Sequence, residues 1–174
     1  GASAVVLCPV DIAKKYTDNY VKVLASAQTS DTLALFQRDT VTSFKPTAVA
    51  AKKAFQVAGI KPADINVAEI HDNYTVSGIM ALQDLGFYAK GKAGKAVLDG
   101  EVTLGKGNLA VNTSGGLKAR GRPLGATGVA QIVEIVDQLR GKAEGRQFKD
   151  AKYGLAHNVG GIGSTATVSI MEAI

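Results

Sequence analysis

The sequence predicts a layered α/β domain in which helices cover the faces of a mixed β-sheet. Two observations lead to this fold class. Short apolar segments with strand-like patterning alternate along the chain with segments of helical periodicity. The last two strand-like segments are joined by the tight turn "GGIG", which argues for a mixed sheet. No second domain, internal repeat or low-complexity segment is evident, so residues 1–174 form one predicted unit.

Length and composition suit a single compact domain. The 174 residues are 46% hydrophobic and 20% charged. No apolar run approaches the ~18 residues that span a bilayer, and no basic-then-apolar leader is present. The one cysteine excludes an internal disulfide framework and is compatible with a reducing compartment, so a cytoplasmic location is predicted.

The net charge of +5 indicates an anionic ligand or partner, although lysines in polar segments such as "YAKGKAGKAV" are typical of solvated faces. Aromatic residues make up 6% of the chain and do not alternate with basic ones. This composition argues against a nucleic-acid stacking surface.

The first elements follow from local patterning. Residues 2–8 read as a buried strand that Pro9 ends, and Cys8 within it is expected to be a packed small hydrophobe rather than a thiolate nucleophile. A short helix over 10–16, a strand over 20–28 and an extended loop over 29–43 come next. A chain that opens inside a strand without Met suggests a fragment, a processed chain or half of a larger fold.

A helix is predicted over 45–60, with Pro46 in its first turn and Gly59 at its end. A short strand over 65–73 and a helix over 74–87 follow, and then a surface excursion over 89–108. The apolar face of the first helix is predicted to comprise Ala48, Ala51, Phe55 and Ala58.

The final third contains a strand over 108–112, a regular helix from Ala126 to Arg140, and strands over 151–159 and 164–172. Gly141 supplies the helix stop. The apolar stripe of this helix is predicted to comprise Val129, Ile132, Val133, Val136 and Leu139.

Three segments place polar residues or glycines directly after a strand, where sites of α/β sheets gather. They are "EIHDNY", "GGLKARGRPLGATG" and "AHNVGGIG", and they contain both histidines of the chain, His71 and His157. Each histidine is either a hydrogen-bonded, partly buried residue or a ring poised to act on a substrate oxygen or a water. The glycine turn after Asn158 offers backbone N–H groups that could face an oxyanion.

The glycine-rich stretch 112–128 admits three interpretations: a phosphate loop, a linker or the floor of a site. It lacks both the P-loop and the G-x-G-x-x-G spacing. A strong helix follows it at once, which disfavours a linker. A site floor fits best, because glycines let the backbone approach a ligand closely and a helix N-terminus follows.

Two other chemistries are disfavoured. No G-x-S-x-G elbow is present to hold a nucleophilic serine. Two distant histidines and one remote cysteine give no metal-ligand cluster.

Taken together, the segments "EIHDNYTVSGIMALQDLGF", "VNTSGGLKARGRPLGATGVAQ" and "HNVGGIGSTA" resemble the motif blocks of the C-terminal half of a thiolase, in order and spacing. The archaeal and sterol-carrier-protein-linked branch is the most similar. The resemblance covers nearly the whole chain, with "GASAVVLC" resembling the first strand of that half and "STATVSIM" the last. It implies a thiolase-like layered fold.

The resemblance also implies roles. Thiolases condense two acyl-CoA molecules or cleave a 3-ketoacyl-CoA through an acyl-cysteine, and the nucleophilic cysteine lies in an N-terminal half that this chain lacks. His71 resembles the residue of the first oxyanion hole, and His157 the second acid/base. The second oxyanion hole is implied at the backbone of Val159 and Gly160. The implied substrate-binding residues are Asn73, Tyr74, Ser114, Gly115 and Gly116.

Arg122 departs from the family pattern. The motif Gly-His-Pro-x-Gly-x-x-Gly reads "GRPLGATG" here, so Arg122 stands where the family histidine activates the cysteine. An arginine stays protonated and cannot be a general base, although it can lower a thiol pKa or donate to an oxyanion.

Three hypotheses follow. In the first, a thiolase-type enzyme uses Arg122 to stabilise a thiolate or enolate and His157 for proton transfer. In the second, a thiolase-like retro-aldol lyase acts on a CoA thioester with His71, Tyr74 or His157 as base. In the third, a non-catalytic scaffold subunit binds CoA or partners.

The implied substrate is a coenzyme A thioester, with no covalently bound cofactor and no metal. The implied partners are an N-terminal thiolase half carrying the cysteine, further subunits of a homo- or hetero-oligomer, and a small zinc-containing OB-fold protein that holds CoA. No nucleic-acid or membrane partner is expected.

Overall fold

The computed structural model describes all 174 residues and contains a five-stranded mixed sheet, as predicted. The strand order is β1-β5-β4-β2-β3. The two strands β1 and β4 pair with β5 in antiparallel fashion, whereas β2 runs parallel to both β4 and β3. The strands are β1 (Val21–Ser30), β2 (Val67–Glu69), β3 (Ala110–Val111), β4 (Tyr153–Gly160) and β5 (Thr165–Ala173).

Helices cover both faces of the sheet and create two apolar cores. The helices α2 and α3 pack over one face, and α6 packs over the other. None of the helices is long and apolar enough to cross a membrane. The helices are α1 (Val10–Ala13), α2 (Lys45–Ala58), α3 (Thr75–Asp84), α4 (Ala93–Leu98), α5 (Gly116–Arg120) and α6 (Thr127–Leu139).

The helix α2 has the predicted ends but a slightly rotated buried face. Pro46 lies in its first turn, and Gly59 adopts a left-handed φ of 70° that ends it. Ala51 and Phe55 are buried as predicted, whereas Ala48 and Ala58 are only half-buried. Further buried residues are Pro46, Thr47, Ala50 and Ala54.

The helix α6 also has the predicted bounds, but its predicted apolar stripe is only partly correct, since Ile132 and Val136 are half-buried against the core and Val129 and Val133 are not part of it. Of that stripe only Leu139 is buried, and Gln131, Glu134 and Gln138 are buried instead, together with Ile135. These polar side chains are accommodated because each forms hydrogen bonds to neighbouring segments. Apolar periodicity alone does not reveal such partners.

The predicted N-terminal strand is absent. Residues 1–9 form neither helix nor strand, and the side chains of Val6 and Leu7 are 99% and 78% exposed. Cys8, predicted to pack in the core, is exposed. A short apolar run becomes a strand only where a neighbouring strand accepts its backbone hydrogen bonds, and none does so here. The predicted surface excursion over 89–108 contains the short helix α4.

The strand β4 sets the geometry of the site because successive side chains point to opposite faces. Leu155 belongs to the core under α2, and Ala156 belongs to the core under α6. The same alternation sends His157 toward α2, where it contacts Thr47, and Asn158 toward α6, where it contacts Gln131.

The edge strand β1 is ten residues long and pairs only with β5. Its register shifts between Val23 and Ala25, which marks a β-bulge. The opposite edge strand, β3, has only two residues.

Candidate functional site

A cleft of about 420 Å³ opens on the α6 side of the sheet, beyond the carboxyl ends of β2 and β4. The three polar segments singled out in the sequence all contribute to it. Its walls also include threonine and serine side chains from β5. The main polar residues of the lining are His71, Arg122, Gln131, Asn158, Thr167 and Ser169.

His71 follows β2 and lies on the wall of this cleft. His71 is only 4% exposed, yet neither of its ring nitrogens has a hydrogen-bond partner. Burial, and secondly the positive charge of Arg122, lower the pKa of His71 to about 4, with Asp72 acting in the opposite direction. The imidazole is therefore neutral at pH 7, with one donor and one acceptor nitrogen, both of them enclosed and without a protein partner.

Arg122 lies on the loop between α5 and α6, and its guanidinium forms no ion pair. The loop is shaped by Gly121 and Gly125, with φ angles of 85° and 83° that favour glycine. Pro123 between them accepts hydrogen bonds from the backbone of Ala126 and Thr127. The arginine is thus presented at the cleft on a turn of defined shape.

The N-terminus of α6 forms another wall. The first N–H groups, those of Ala126 and Thr127, are satisfied by Pro123. The next two, on Gly128 and Val129, have no partner, and both residues line the cleft. Free N–H groups at the start of a helix of 13 residues carry the positive end of its dipole.

His157 lies on the opposite face of β4 and does not reach the cleft. It is 0% exposed, and its Nε2 is 3.0 Å from the hydroxyl of Thr47. Its Nδ1 accepts a 3.5 Å hydrogen bond from the backbone N–H of His71, so the proton is assigned to Nε2. Burial, and then the neighbouring His71, lower the pKa of His157 to about 3, which keeps it neutral.

Asn158 is the β4 side chain that does line the cleft. Its Nδ2 donates to the Oε1 of Gln131 at 2.8 Å. Gln131 in turn donates through Nε2 to the backbone carbonyls of His157 at 2.8 Å and Glu69 at 3.4 Å. These two carbonyls fix the amide of Gln131, which fixes the amide of Asn158 and leaves its Oδ1 as a free acceptor.

The backbone predicted for a second oxyanion hole also lies at the cleft, since Val159 and Gly160 both line it. Their N–H groups belong to a strand that pairs with Ala166 and Thr165 of β5.

None of the five predicted substrate-binding residues lines this cleft. Ser114 donates through its hydroxyl to the buried carboxylate of Glu69 at 2.6 Å. Asn73 accepts from Ser77, and Tyr74 is 69% exposed just before α3. Gly115 precedes α5 with a φ of 89°.

Gly116 and Asp72 join the two loops that follow β2 and β3. Asp72 Oδ1 accepts a 2.7 Å bond from the backbone of Leu117, and a Cβ on Gly116 would overlap Asp72 and Asn112. Asn112 Oδ1 accepts a 2.7 Å bond from the backbone of Ile70, one residue before His71. These contacts hold His71 in place.

Glu69 lies beneath this junction and is 1% exposed. It accepts hydrogen bonds from Ser114 and lies 3.3 Å from a guanidinium nitrogen of Arg120. Burial raises the pKa of Glu69, and the bonds from Ser114 oppose that shift.

Sequence reasoning did not identify Asn158, Gln131, Thr47 or Glu69 as parts of the site. A polar residue directly after a histidine at a strand end was a usable signal for Asn158, since one of the two must face each side of the sheet. No group of three or more potential metal ligands is present.

Comparison with known proteins agrees with the resemblance. A family model described as "Thiolase C-terminal domain-like" matches residues 27–173. The acetyl-CoA acetyltransferase of Methanothermobacter thermautotrophicus is 52% identical over 172 residues, which is 99% of this chain and 45% of that protein. Sterol carrier protein 2 of Oryctolagus cuniculus is 37% identical over 177 residues, covering 99% of this chain and 32% of that protein.

The chain spans about half or less of the length of these curated relatives. Among solved structures, the Ltp2-ChsH2(DUF35) aldolase superposes with a TM-score of 0.83 at 24% identity, covering 94% of this chain and 42% of that one. The fold is therefore that of the thiolase C-terminal half. By sequence and by fold, the chain belongs to the thiolase C-terminal domain-like family.

Proposed function

We propose that this chain is the C-terminal half of a thiolase-type acyltransferase that acts on acyl-CoA or 3-ketoacyl-CoA thioesters. The observation that carries the proposal is the cleft that His71, Arg122, Gly128 and Val129 all line, the last two with backbone N–H groups that have no partner. Groups that donate hydrogen bonds toward one point are what a thioester oxygen requires as it gains negative charge.

In this proposal Arg122 and His71 touch the substrate. Arg122 stabilises a thiolate or an enolate through its charge, and His71 donates a hydrogen bond to the thioester oxygen. His157 is fully buried and acts through its bond to the backbone of His71, as a positioning residue. The residues proposed to bind the remainder of the substrate are Asn73, Tyr74, Ser114, Gly115 and Gly116.

The nucleophilic cysteine is proposed to come from an N-terminal thiolase half that docks at the cleft. Exposed apolar side chains support this, since Leu124, which lines the cleft, is 86% exposed, and Ile162, which follows the lining residue Gly161, is 62% exposed. Apolar side chains of this size at a cleft rim are typical of a contact surface. A homo- or hetero-oligomer in the cytoplasm is proposed, with a small zinc-containing OB-fold protein as a further CoA-binding partner.

A second candidate is a retro-aldol lyase acting on a CoA thioester. It is favoured by the absence of a general base at position 122, together with the free acceptor nitrogen of neutral His71, which can take a hydroxyl proton. A non-catalytic subunit that only binds CoA remains the third candidate.

Thiolysis of acetoacetyl-CoA by the assembled protein tests the first candidate. The chain is combined with a cysteine-bearing thiolase half, and release of acetyl-CoA in the presence of free CoA is measured. In this proposal the charge of Arg122 stabilises the thiolate or the enolate, so we expect Arg122→His to lower the rate by roughly 10²-fold or more. Lys118→His, an exposed position on α5 away from the cleft, is the matched control.

A stable assembly that is inactive on several 3-ketoacyl-CoA substrates, with and without Arg122→His, would exclude the acyltransferase. If Arg122→His instead raises the activity from near zero, the site is retuned away from acyl transfer and the first candidate fails.

A further inference from the structure

The turn Gly161–Gly163 joins β4 to β5 beside the cleft, and its backbone is left-handed throughout. The φ angles of Gly161, Ile162 and Gly163 are 51°, 49° and 87°. Gly161 lines the cleft together with Gly160 at the end of β4. The conformation of this turn therefore determines where the backbone lies at the β4 end of the cleft.

Ile162 is the residue that strains this conformation. A β-branched side chain disfavours a positive φ, so such a residue stays there only where its surroundings hold it. The side chain of Ile162 is 62% exposed and gains little burial to offset the strain. Within the turn, the backbone N–H of Ser164 donates to the carbonyl of Gly161 at 2.9 Å. Contacts from outside the turn are needed to offset the remaining strain.

Arg38 supplies such a contact from the loop 31–44 between β1 and α2. Its Nη1 donates to the carbonyl of Ile162 at 3.0 Å, and its Nε donates to the carbonyl of Thr32 at 3.0 Å. Its Nη2 is buried without a partner, and the guanidinium forms no ion pair. Because hydrogen bonds from a charged donor are stronger than neutral ones, Arg38 ties the strained residue firmly to the loop.

The same loop contacts the turn at two further points. The backbone N–H of Asp31 donates to the carbonyl of Ser164 at 2.7 Å. The ring of Phe44 packs so closely on Gly163 that a Cβ there would overlap it. Both contacts lie at the β5 end of the turn, whereas the hydrogen bond from Arg38 reaches its middle residue. The conformation of the middle of the turn thus depends on Arg38.

We propose that Arg38 is a positioning residue that holds the turn Gly161–Gly163 in its left-handed conformation and thereby fixes the backbone at the β4 end of the cleft. Arg38 does not line the cleft, so it acts through the carbonyl of Ile162. Val159 and Gly160, the implied second oxyanion hole, directly precede this turn. The inference rests on the proposed function, in which the thioester binds at this cleft.

Hydrogen exchange of the chain tests the positioning role. The amides of Asp31 and Ser164 report on opening of the turn, because each donates one of the hydrogen bonds described above. Arg38→Gln removes the charged donor, so we expect both amides to exchange about tenfold faster or more. Arg38→Lys keeps a charged donor and should restore part of the protection. Unchanged exchange of both amides in Arg38→Gln overturns the proposal.

The matched control is Arg140→Gln. Arg140 forms no ion pair, and its Nε has no hydrogen-bond partner. We expect this variant to leave the exchange of both amides unchanged, and faster exchange in it as well would show that any lost arginine has the same effect, which overturns the proposal.

Ile162→Gly tests whether Arg38 acts by offsetting strain. Glycine adopts a positive φ readily, and the isoleucine side chain is exposed, so the substitution relieves the strain without leaving a cavity. In the Ile162→Gly background we expect Arg38→Gln to accelerate exchange by no more than about threefold. An effect of equal size in both backgrounds overturns the proposal, since Arg38 would then stabilise the loop without acting through Ile162.

Thiolysis of acetoacetyl-CoA by the assembled protein separates this inference from the proposed function. A displaced turn weakens contacts that matter most in the transition state, so we expect kcat of Arg38→Gln to fall about tenfold while KM changes less than about threefold. Faster amide exchange with an unchanged kcat overturns the positioning role. If the unsubstituted assembly is inactive while the exchange results hold, the proposed function fails and the role of Arg38 in holding the turn is supported.

Discussion

The two histidines of the chain belong to neighbouring segments of the sheet, His157 within β4 and His71 just after β2, yet their surroundings are opposite. His157 is enclosed under α2 with both ring nitrogens paired, by Thr47 and by the backbone of His71. His71 is almost as buried but has neither nitrogen paired and faces the cleft. Burial with partners is typical of a residue that holds structure, whereas a buried polar group without a protein partner is a candidate for a role in the site.

Within β4, a step of one residue separates a buried, hydrogen-bonded histidine from a side chain that lines the cleft. His157 and Asn158 are adjacent, but only Asn158 faces the cleft. His157, which resembles a catalytic residue in sequence, therefore contacts the backbone of His71 from outside the cleft. The amide of Asn158 lines the cleft instead.

The largest expected effect is on acid stability, where both histidines contribute. Their pKa values in the fold, about 4 and about 3, lie below the ordinary 6.5. The unfolded chain therefore binds protons first, and the free energy of unfolding falls as the pH drops below 6.5. The loss is roughly 1.4 kcal/mol per pH unit for each histidine, on the order of 5 kcal/mol by pH 4.5.

Urea denaturation at pH 7 and pH 4.5 measures this loss. Comparison with the His71→Leu variant separates the contribution of His71 to this pH dependence from that of carboxylates that titrate in the same pH range. An unchanged pH dependence in that variant would show that His71 does not titrate in this way.

The second prediction separates the two histidines by substitution. His157→Leu leaves the Thr47 hydroxyl and the His71 N–H buried without partners, so the free energy of unfolding should fall by about 2–4 kcal/mol. His71→Leu removes an imidazole that has no partners, and its effect should stay within about 1 kcal/mol. Urea midpoints at pH 7 give both values, and equal losses would contradict the contrast drawn here.

The third prediction concerns Gln131, which links β2 and β4 through their carbonyls. Gln131→Met keeps the length of the side chain but removes its donors, so we expect a loss of about 1–3 kcal/mol. Gln56→Met, on the exposed side of α2, should have almost no effect in the same denaturation experiment. A similar loss in both variants would mean that Gln131 contributes only volume.

The smallest effect is expected at Asn158. Asn158→Ala removes one hydrogen bond at a half-exposed position, and the free energy of unfolding should fall by about 1 kcal/mol or less. Thermal or urea unfolding checks this. A loss as large as that of His157→Leu would place Asn158 among the structural residues of β4.

Most of the sheet and the three long helices α2, α3 and α6 could be predicted from the sequence. In each helix the apolar periodicity and the residues that mark the helix ends indicate the same element. Gly59 and Gly141 adopt the left-handed φ values expected at helix ends. The predicted first strand failed because an apolar run of seven residues carries no information about whether another strand lies beside it.

The orientation of β4 could not be read from its pattern. The stretch from Gly154 to His157 is buried on both faces, so no alternation of apolar and polar residues marks the side that faces the cleft. A shift of one residue exchanges the two faces of a strand. The buried polar residues of α6 were missed for a related reason, since their hydrogen-bond partners lie on other elements, including β2 and β4 for Gln131.

The unequal edges of the sheet have a consequence for handling the protein. The edge strand β3 is too short to recruit another chain, but β1 offers ten residues with one side unpaired. A long free edge is where a second molecule can add by strand pairing, which makes β1 the expected start of aggregation during refolding. The bulge at Val23–Ala25 and the charge of Lys22 interrupt that edge, and variants that straighten or neutralise it should precipitate at lower protein concentration.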